Sequence, residues 1–447
     1  MATVGLISLG CPRNLIDSEI MLALLKKNGF KVTEDFSKCD AAIVNTCSFI
    51  KDAKEESIDL ILRLVDLKKE KKLKAIIVAG CLPQRYPAEL KKEIKEIDGF
   101  LGTSDFIKIP EVLKTVLSGG KTSAVSGAPS FLADHTYPRD LITPRHSIYL
   151  KVAEGCNNNC SYCVIPKIRG ALRSRRINSL LEETKRIAKR HKISEINLIG
   201  QDTTLYGTDL YGAPKLSELI RQLAAIKKAR WIRVLYTHPE HYTDELIGVI
   251  RDEPSVCKYV DLPLQHINDR ILKSMGRKTN KRDICNLISR LRKEIPGLAV
   301  RTTFIVGFPG ETDKEFKELA DFIKEARFER LGVFEYSREE GTPAHNFKNQ
   351  ISDNVKKERF DALMRLQQEI SKEVNAGYMG KELEVLIDEP ANRQTGKLYN
   401  YTGRTEYDAP EVDGNCFVRT KKQHKPGDFV KVKIVDTLEY DLVGEEL

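Results

Sequence analysis

Three cysteines stand in one short loop, and this loop constrains the fold of the chain more than any other feature. Residues 154–163 hold Cys156, Cys160 and Cys163 in a C-x3-C-x2-C spacing, directly after the strand-like apolar run 148–153. Three thiolates on one loop can bind three irons of a cubane iron–sulfur cluster and leave the fourth iron open to a substrate or cosubstrate. The alternatives are a zinc site without its fourth ligand and a set of buried free thiols. Zinc sites usually add a second cysteine pair or histidines downstream, and no such pair follows here.

Length and composition indicate a cytoplasmic enzyme of more than one domain. The chain has 447 residues, of which 41% are hydrophobic and 31% charged, and this fits two or three globular domains. No apolar run is long enough to span a bilayer, and the N-terminus enters a strand without a visible signal peptide. Ten cysteines without a secretory signal favour a reducing compartment, where clustered cysteines more often bind metal than form disulfides.

Three further cysteines follow three short apolar runs in the first part of the chain. The runs are 4–10, 41–46 and 75–80, and they end at Cys11, Cys47 and Cys81. Helix-like stretches separate them, which indicates a parallel α/β sheet covered on both faces. Because the carboxyl ends of parallel strands share one edge, the three cysteines should converge there and hold a second cluster. Any one of them alone could be a small buried hydrophobe, and this is our interpretation of Cys39, Cys257, Cys285 and Cys416.

The middle of the chain predicts a barrel. Six strand-like runs alternate with helical stretches, at 148–153, 195–199, 232–236, 259–262, 300–306 and 332–336. Six βα units predict an open, partial (β/α)6 barrel whose reactive face lies at the carboxyl ends of its strands. Polar residues or glycines follow each run. Among them, Gly307 and Gly310 form a turn in which the backbone can approach a ligand closely.

The remaining segments complete a three-part α/β fold. Residues 118–140 read as a linker, and 352–375 as an amphipathic connecting helix. Five short strand-like pieces after residue 375 predict a small antiparallel β-barrel. We therefore expect an N-terminal parallel α/β sheet domain at 1–135, the partial barrel at 141–374 and the small barrel at 375–447.

Taken together, these motifs resemble the radical S-adenosylmethionine (SAM) methylthiotransferase family over essentially the whole chain. The motifs are CVIP at 163–166, RG at 169–170, SR at 174–175, SLGCPRNL at 8–15, QDT at 201–203, DLPLQH at 261–266 and FIVGFPGET at 304–312. Within the family, the chain is most similar to the group that modifies an aspartate of ribosomal protein S12. The C-terminal stretches 403–405, 408–414 and 427–430 resemble a TRAM domain.

The resemblance implies two [4Fe-4S] clusters and SAM as cofactors. An auxiliary cluster would be held by Cys11, Cys47 and Cys81, and the radical SAM cluster by Cys156, Cys160 and Cys163. SAM bound at the open iron would give a radical that abstracts hydrogen from an unactivated carbon, and a second SAM would methylate a sulfur carried by the auxiliary cluster. Transfer of the methylthio group to the substrate requires the two clusters to face each other across a shared cavity.

The resemblance also implies SAM contacts. Tyr162 and the turn at Gly307 and Gly310 would lie beside the adenine, and Gln201 and Arg175 would contact SAM or substrate. For Arg175, simple solvation at the surface is the alternative. His238 and His266 either act on the substrate or are hydrogen-bonded structural histidines.

The distribution of charge along the chain indicates what kind of partner the protein binds. Residues 375–447 carry a net charge of −4, whereas the rest of the chain carries +13. An acidic TRAM domain favours a basic ribosomal protein over RNA, so nucleic-acid contact should be indirect or weak. A reductase or flavodoxin-type electron donor is a further expected partner. Two alternatives stay open: the same chemistry on an adenosine of transfer RNA, and an iron–sulfur electron carrier or RNA-binding regulator.

Overall fold

The N-terminal unit is a six-stranded parallel sheet in the computed structural model, which describes residues 2–391 and 399–447. Its strands are β1 Thr3–Ser8, β2 Lys31–Val32, β3 Ala41–Thr46, β4 Ala75–Gly80, β5 Gly99–Leu101 and β6 Thr122–Ala124. Its helices are α1 Pro12–Lys27, α2 Lys51–Lys69, α3 Cys81–Arg85, α4 Pro87–Glu93 and α5 Ile109–Leu117. The order β2-β1-β3-β4-β5-β6 makes β1, β3 and β4 neighbours. Since these are the three strands that end at cysteines, the sheet brings those cysteines to one edge.

Part of the predicted linker is folded. Its residues 122–124 are β6, which pairs in parallel with β5 and completes the sheet. Farther along, Phe131 packs edge-on against Phe106 and Tyr137, with ring centroids 5.7 and 5.3 Å apart. A three-residue edge strand is too short to show a periodic pattern, and the glycines before it resemble a loop.

The central unit is the predicted partial barrel, built from two three-stranded parallel sheets. Its main strands are β7 Ser147–Lys151, β10 Glu195–Ile199, β11 Trp231–Val234, β12 Tyr259–Asp261, β13 Ala299–Val306 and β14 Arg330–Glu335, and a hairpin pairs β8 Ala153–Glu154 with β9 Arg173–Ser174. Its helices are α6 Ile165–Arg169, α7 Ile177–Ala188, α8 Thr208–Tyr211, α9 Leu216–Ala225, α10 Asp244–Asp252, α11 Asp269–Ser274, α12 Lys281–Glu294, α13 Asp313–Ala326 and α14 Asp353–Ala376. The sheets run β11-β10-β7 and β12-β13-β14, and the Thr237 amide donates to the Asp261 carbonyl at 3.0 Å where they meet. The predicted connecting helix is α14, which packs on β14. In the described residues, no helix combines the length and apolar character needed to cross a membrane.

The C-terminal unit is a closed five-stranded barrel. Its strands are β15 Glu382–Pro390, β16 Tyr401–Thr405, β17 Cys416–Arg419, β18 Phe429–Thr437 and β19 Leu442–Glu446, in the order β15-β16-β17-β19-β18. One pairing differs from the antiparallel prediction, because β17 and β19 run parallel. The last strand closes the barrel by inserting between β17 and β18.

Part of the excess negative charge of this unit lies inside the molecule, in contact with arginines of the central barrel. Arg330 of the central barrel contacts Asp408 at 2.6 Å, and Arg301 contacts Asp413 at 3.3 Å. Part of the acidic charge of the C-terminal unit therefore faces arginines of the barrel rather than the outer surface. Our expectation that the acidic charge is there for a basic partner was incomplete for this reason.

The contact between the units also predicts a pH dependence. Glu195 is fully buried and accepts hydrogen bonds from Arg233 at 2.9 Å and Arg404 at 2.8 Å. Burial raises the pKa of Glu195, but Arg404 and Arg233 outweigh it and lower the pKa to about 2. A carboxyl with a lowered folded-state pKa stabilises the fold above its unfolded value of about 4.3 and loses that contribution as the pH falls toward about 2. We expect Glu195→Gln to unfold at lower urea concentration than the wild type at pH 7, with a smaller difference near pH 3.

The matched control for this pH series is Glu182→Gln, which changes an exposed glutamate of α7. Its urea midpoint should follow that of the wild type at every pH. A constant difference between Glu195→Gln and the wild type across the series would contradict the assignment.

Candidate active site

The three strand-end cysteines meet at the carboxyl edge of the N-terminal sheet. Gly10, with φ +83°, lies so close to Cys47 that an added Cβ would be 2.6 Å from the Cβ of Cys47. Burial and the neighbouring thiols of Cys81 and Cys11 raise the pKa of Cys47 to about 12. The convergence predicted from the parallel sheet is therefore present. Thiols that are this close disfavour each other's charge and call for a cationic partner.

The cysteine loop follows β8 at the carboxyl end of the first barrel strands. The Asn158 amide donates to the Sγ of Cys156 at 3.4 Å. Burial, with a smaller contribution from the neighbouring thiolates, raises the pKa of Cys156 to about 11 and that of Cys163 to about 12. Cys156, Cys160 and Cys163 thus form a second group of thiols within mutual electrostatic range.

The chemistry of both groups fits iron–sulfur clusters. Each group supplies three thiols, all ten cysteines of the chain are free, and hydrogen-bond donors already point at sulfur. The other four cysteines pack with apolar residues away from the two groups, as interpreted from sequence; these are Cys39, Cys257, Cys285 and Cys416.

The two groups of thiols share one interface between the N-terminal sheet and the barrel. Arg169, at the end of α6 just after the cysteine loop, places its Nη2 3.5 Å from the Sγ of Cys81. Cys81 also packs against Val164, which follows Cys163 directly, and against Ile168 of α6. Arg13, beside Cys11, lies within electrostatic range of Cys163. The two thiol groups therefore lie near the same part of the contact between the N-terminal sheet and the barrel.

A buried network of four charges lies at this interface. Lys151 contacts Asp17 at 2.6 Å and Glu154 at 2.8 Å, while Arg169 contacts Asp17 at 2.7 Å and Glu154 at 3.2 Å. Burial raises the pKa of Glu154, but Lys151 and Arg169 hold it well below its usual range. Sequence reasoning assigned no role to Lys151 or Arg169. One signal in the sequence could have indicated the network. Lys151 stands in the apolar strand β7, and a buried lysine needs a partner of opposite charge.

Gln201 joins this network at the carboxyl end of β10. Its Nε2 donates to Glu154 Oε1 at 2.5 Å. Its Oε1 is buried and accepts no hydrogen bond within the described part of the chain. A buried acceptor of this kind is free to receive a donor from a bound molecule.

Tyr162 lies next to the glycine turn, as the resemblance implied. It packs against a small cluster that includes Phe308, Met275 and Tyr336. The Gly307 amide donates to Glu311 at 2.5 Å, and an added Cβ at Gly307, which has φ +71°, would lie 2.3 Å from the Cγ of Lys356. The space left by the glycine is thus filled by a lysine of α14. Gly310, also with positive φ, uses its carbonyl to accept from Arg270 at 2.7 Å.

Arg175 lies apart from these residues. Its side chain is 5% exposed and contacts Glu183 of α7 at 2.5 Å. The alternative of a solvated surface arginine is therefore wrong. The reason is packing, because α7 brings Glu183 to the arginine in the folded barrel. This guanidinium is already committed to a carboxylate, so the geometry does not favour a SAM contact.

The two histidines at the barrel mouth have different surroundings. His238 stacks on His241 with ring centroids 4.8 Å apart, and His241 contacts Asp202 at 2.9 Å. His238 also lines a cleft with residues 157–160 of the cysteine loop. Burial lowers the pKa of His238 to about 3, so it is neutral at physiological pH. His266 is fully buried and accepts from the Asn268 amide at 3.0 Å, which is a structural role.

Family models match all three units of the chain. The radical SAM superfamily matches residues 150–323, the uncharacterized protein family UPF0004 matches 3–102, and the TRAM domain matches 379–446. These matches cover both thiol groups and the C-terminal barrel.

Two relatives resemble the chain along its full length, and one solved structure resembles most of it. Ribosomal protein uS12 methylthiotransferase RimO of Pelotomaculum thermopropionicum is 48% identical, over 99% of this chain and 98% of that protein. The RimO of Caldanaerobacter subterraneus subsp. tengcongensis is 50% identical over the whole of both chains. Among solved structures, the radical SAM methyltransferase TsrM of Kitasatospora setae, with cobalamin and a [4Fe-4S] cluster bound, superimposes with a TM-score of 0.53 at 15% identity, covering 77% of this chain and 74% of that one. The last likeness concerns the fold alone. By its full-length identity, the chain belongs to the family of ribosomal protein uS12 methylthiotransferases RimO.

Proposed function

We propose that this protein attaches a methylthio group to the β-carbon of an aspartate in ribosomal protein S12. The observation that carries the proposal is the meeting of two three-cysteine groups at one buried interface, where Arg169 reaches from the loop of one group to Cys81 of the other. Such an arrangement suits a reaction in which two metal centres act on one substrate atom. An electron carrier or RNA-binding regulator would need neither the open barrel mouth nor the second group.

We assign the six cysteines as ligands of two [4Fe-4S] clusters. Cys156, Cys160 and Cys163 would hold the cluster that binds SAM, and the auxiliary cluster would be held by Cys11, Cys47 and Cys81. When bound, the clusters and SAM supply radical hydrogen abstraction and a sulfur that accepts a methyl group. In this assignment the unit 1–135 holds the auxiliary cluster, 141–374 binds SAM and 375–447 is the TRAM domain.

The residues around the clusters would orient SAM and substrate. Tyr162 offers an aromatic face beside the turn at Gly307 and Gly310, which suits a purine. Gln201 has a free buried acceptor that can take an amino group. Arg175 acts at most indirectly, because Glu183 holds its guanidinium. The buried ion pairs of Asp17 with Lys151 and Arg169 fix the position of the N-terminal sheet relative to the barrel.

We further propose a cytoplasmic location and an acidic flavodoxin-type or reductase electron donor. The positive body of the chain attracts an acidic flavoprotein electrostatically. Reduced cysteines are maintained in the cytoplasm. Contact with nucleic acid would be indirect or weak, through the ribosome that contains the substrate.

The experiment that tests this function is mass spectrometry after anaerobic turnover of the reconstituted protein with reductant and SAM. One reaction contains ribosomal protein S12, and the other contains unmodified transfer RNA. We expect a methylthio mass gain on one aspartate of S12 and none on the RNA. Modification of the RNA alone would show that the same chemistry acts on transfer RNA instead of S12. Absence of 5′-deoxyadenosine in both reactions would favour a carrier or binding protein instead.

A further inference from the structure

Arg13 occupies the place where the N-terminal sheet meets the barrel mouth. It lies in the first turn of α1, two positions after Cys11. Its Nη1 donates to the Gly200 carbonyl at the end of β10, at 2.5 Å. Its guanidinium lies over the ring of Tyr236, 4.5 Å from the centroid. One hydrogen bond and one aromatic face therefore fix this arginine between the two units.

In the part of the chain that the structure describes, this arginine contacts no carboxylate, unlike three other buried cations; Glu154 lies within electrostatic range only. Lys151, Arg169 and Arg175 contact carboxylates at 2.6, 2.7 and 2.5 Å. Within residues 2–391 and 399–447, Arg13 forms no ion pair, and its single side-chain hydrogen bond leaves most of its N–H donors unused. A half-buried guanidinium with unused donors is costly, and its fork matches a carboxylate through two parallel hydrogen bonds.

We propose that Arg13 binds the side-chain carboxylate of the aspartate that this protein modifies. The inference rests on the proposed function, in which the reacting β-carbon is bonded directly to that carboxylate. Arg13 is two positions from Cys11 of one thiol group and within electrostatic range of Cys163 of the other. A carboxylate held there brings the β-carbon to the interface between the two groups. Tyr236 limits rotation of the guanidinium, so the fork presents a fixed edge to the substrate.

Arg13 would therefore determine specificity for an anionic side chain. Asparagine has nearly the shape of aspartate but lacks the charge that the guanidinium binds. A site built around a charged hydrogen bond rejects the analogue without that group, because its own donors are then left unpaired. A simpler role, in which Arg13 only offsets the negative charge of the clusters, would give no such discrimination.

The test compares S12 with its variant in which the target aspartate is asparagine. Binding of each to the reconstituted protein is measured for the wild type, Arg13→Gln and Arg13→Lys, and iron content and cluster electron paramagnetic resonance spectra are recorded in parallel. The wild type should prefer the aspartate form by about 10- to 100-fold, as expected for a hydrogen-bonded charge pair. Arg13→Gln should bind both forms about equally, and Arg13→Lys should retain part of the preference because it keeps the charge but not the fork. The control Arg63→Gln, at an exposed arginine of α2, should behave as the wild type.

Two results would overturn the inference. The first is an undiminished preference for aspartate in Arg13→Gln. The second is a loss of iron or an altered cluster spectrum in both Arg13 variants, which would assign the arginine to the clusters. A wild-type protein that cleaves SAM but leaves S12 unmodified would be a different failure, because it refutes the proposed function and with it the need for an aspartate site.

Discussion

Replacing Cys156 by alanine should abolish SAM cleavage while leaving half of the iron bound to the protein. Cys156, Cys160 and Cys163 are the only cysteines of their loop, and the other thiols near this interface belong to the second group. In the proposed assignment, the variant loses one of three ligands of the cluster that binds SAM and keeps the three proposed ligands of the auxiliary cluster, Cys11, Cys47 and Cys81. The measurement is 5′-deoxyadenosine released under reducing, anaerobic conditions, together with iron per chain.

The reciprocal variant separates the two centres. Cys47→Ala should also lose half of the iron, but it should still cleave SAM to 5′-deoxyadenosine while transferring no methylthio group. Cys285→Ala is the matched control, since this half-buried thiol packs on the barrel core and should keep full iron and activity. If either variant of the pair lost all its iron, or if both cleaved SAM normally, the division of the six cysteines into two sites would be wrong.

Replacing Arg169 by methionine should destabilise the protein by about 3–5 kcal/mol, the cost of removing one partner from a buried ion network. The side chain is 2% exposed, and it contacts the carboxylates of Asp17 and Glu154. Without it, Lys151 alone faces two buried carboxylates, so one negative charge is left uncompensated. The contact between the N-terminal sheet and the barrel should weaken first. The measurement is the free energy of the first unfolding transition in urea.

Two further variants test whether the loss of stability comes from the buried network. Lys185→Met removes an exposed cation from its pair with Glu182 and should cost no more than about 1 kcal/mol. The double variant Arg169→Met with Asp17→Asn should recover part of the lost stability, because it restores one positive and one negative charge. A loss for Arg169→Met no larger than that for Lys185→Met would show that the network is not a stabilising element.

The N-terminal sheet and the six-stranded barrel were predictable because their signals are local. Apolar runs of fixed length alternate with helical stretches, and that periodicity alone indicates parallel strands with covered faces. The positions of Cys11, Cys47 and Cys81 followed from geometry, since the ends of neighbouring parallel strands share an edge. The prediction for the first unit contained β1, β3 and β4 but missed β2, β5 and β6, because strands of two or three residues carry no period.

The surroundings of the site depended on contacts between residues far apart in sequence. Nothing near Arg169 in the chain indicates its pairing with Asp17, 152 positions away, and nothing near Gly307 indicates that the side chain of Lys356 lies beside it. The same holds for the acidic C-terminal unit. Its Asp408 and Asp413 contact arginines of the barrel that are far away in sequence.

The sequence by itself therefore determined the three units, the two groups of thiols and the chemistry that those thiols support. Only the tertiary structure decided how charge is distributed between the groups: among the described residues, Arg169 belongs to a network of four buried charges, whereas Arg13 contacts no carboxylate. The physical reason is that periodicity and ligand type are properties of short segments. The pairing of buried charges, by contrast, depends on which segments pack together, and burial makes each pairing decisive.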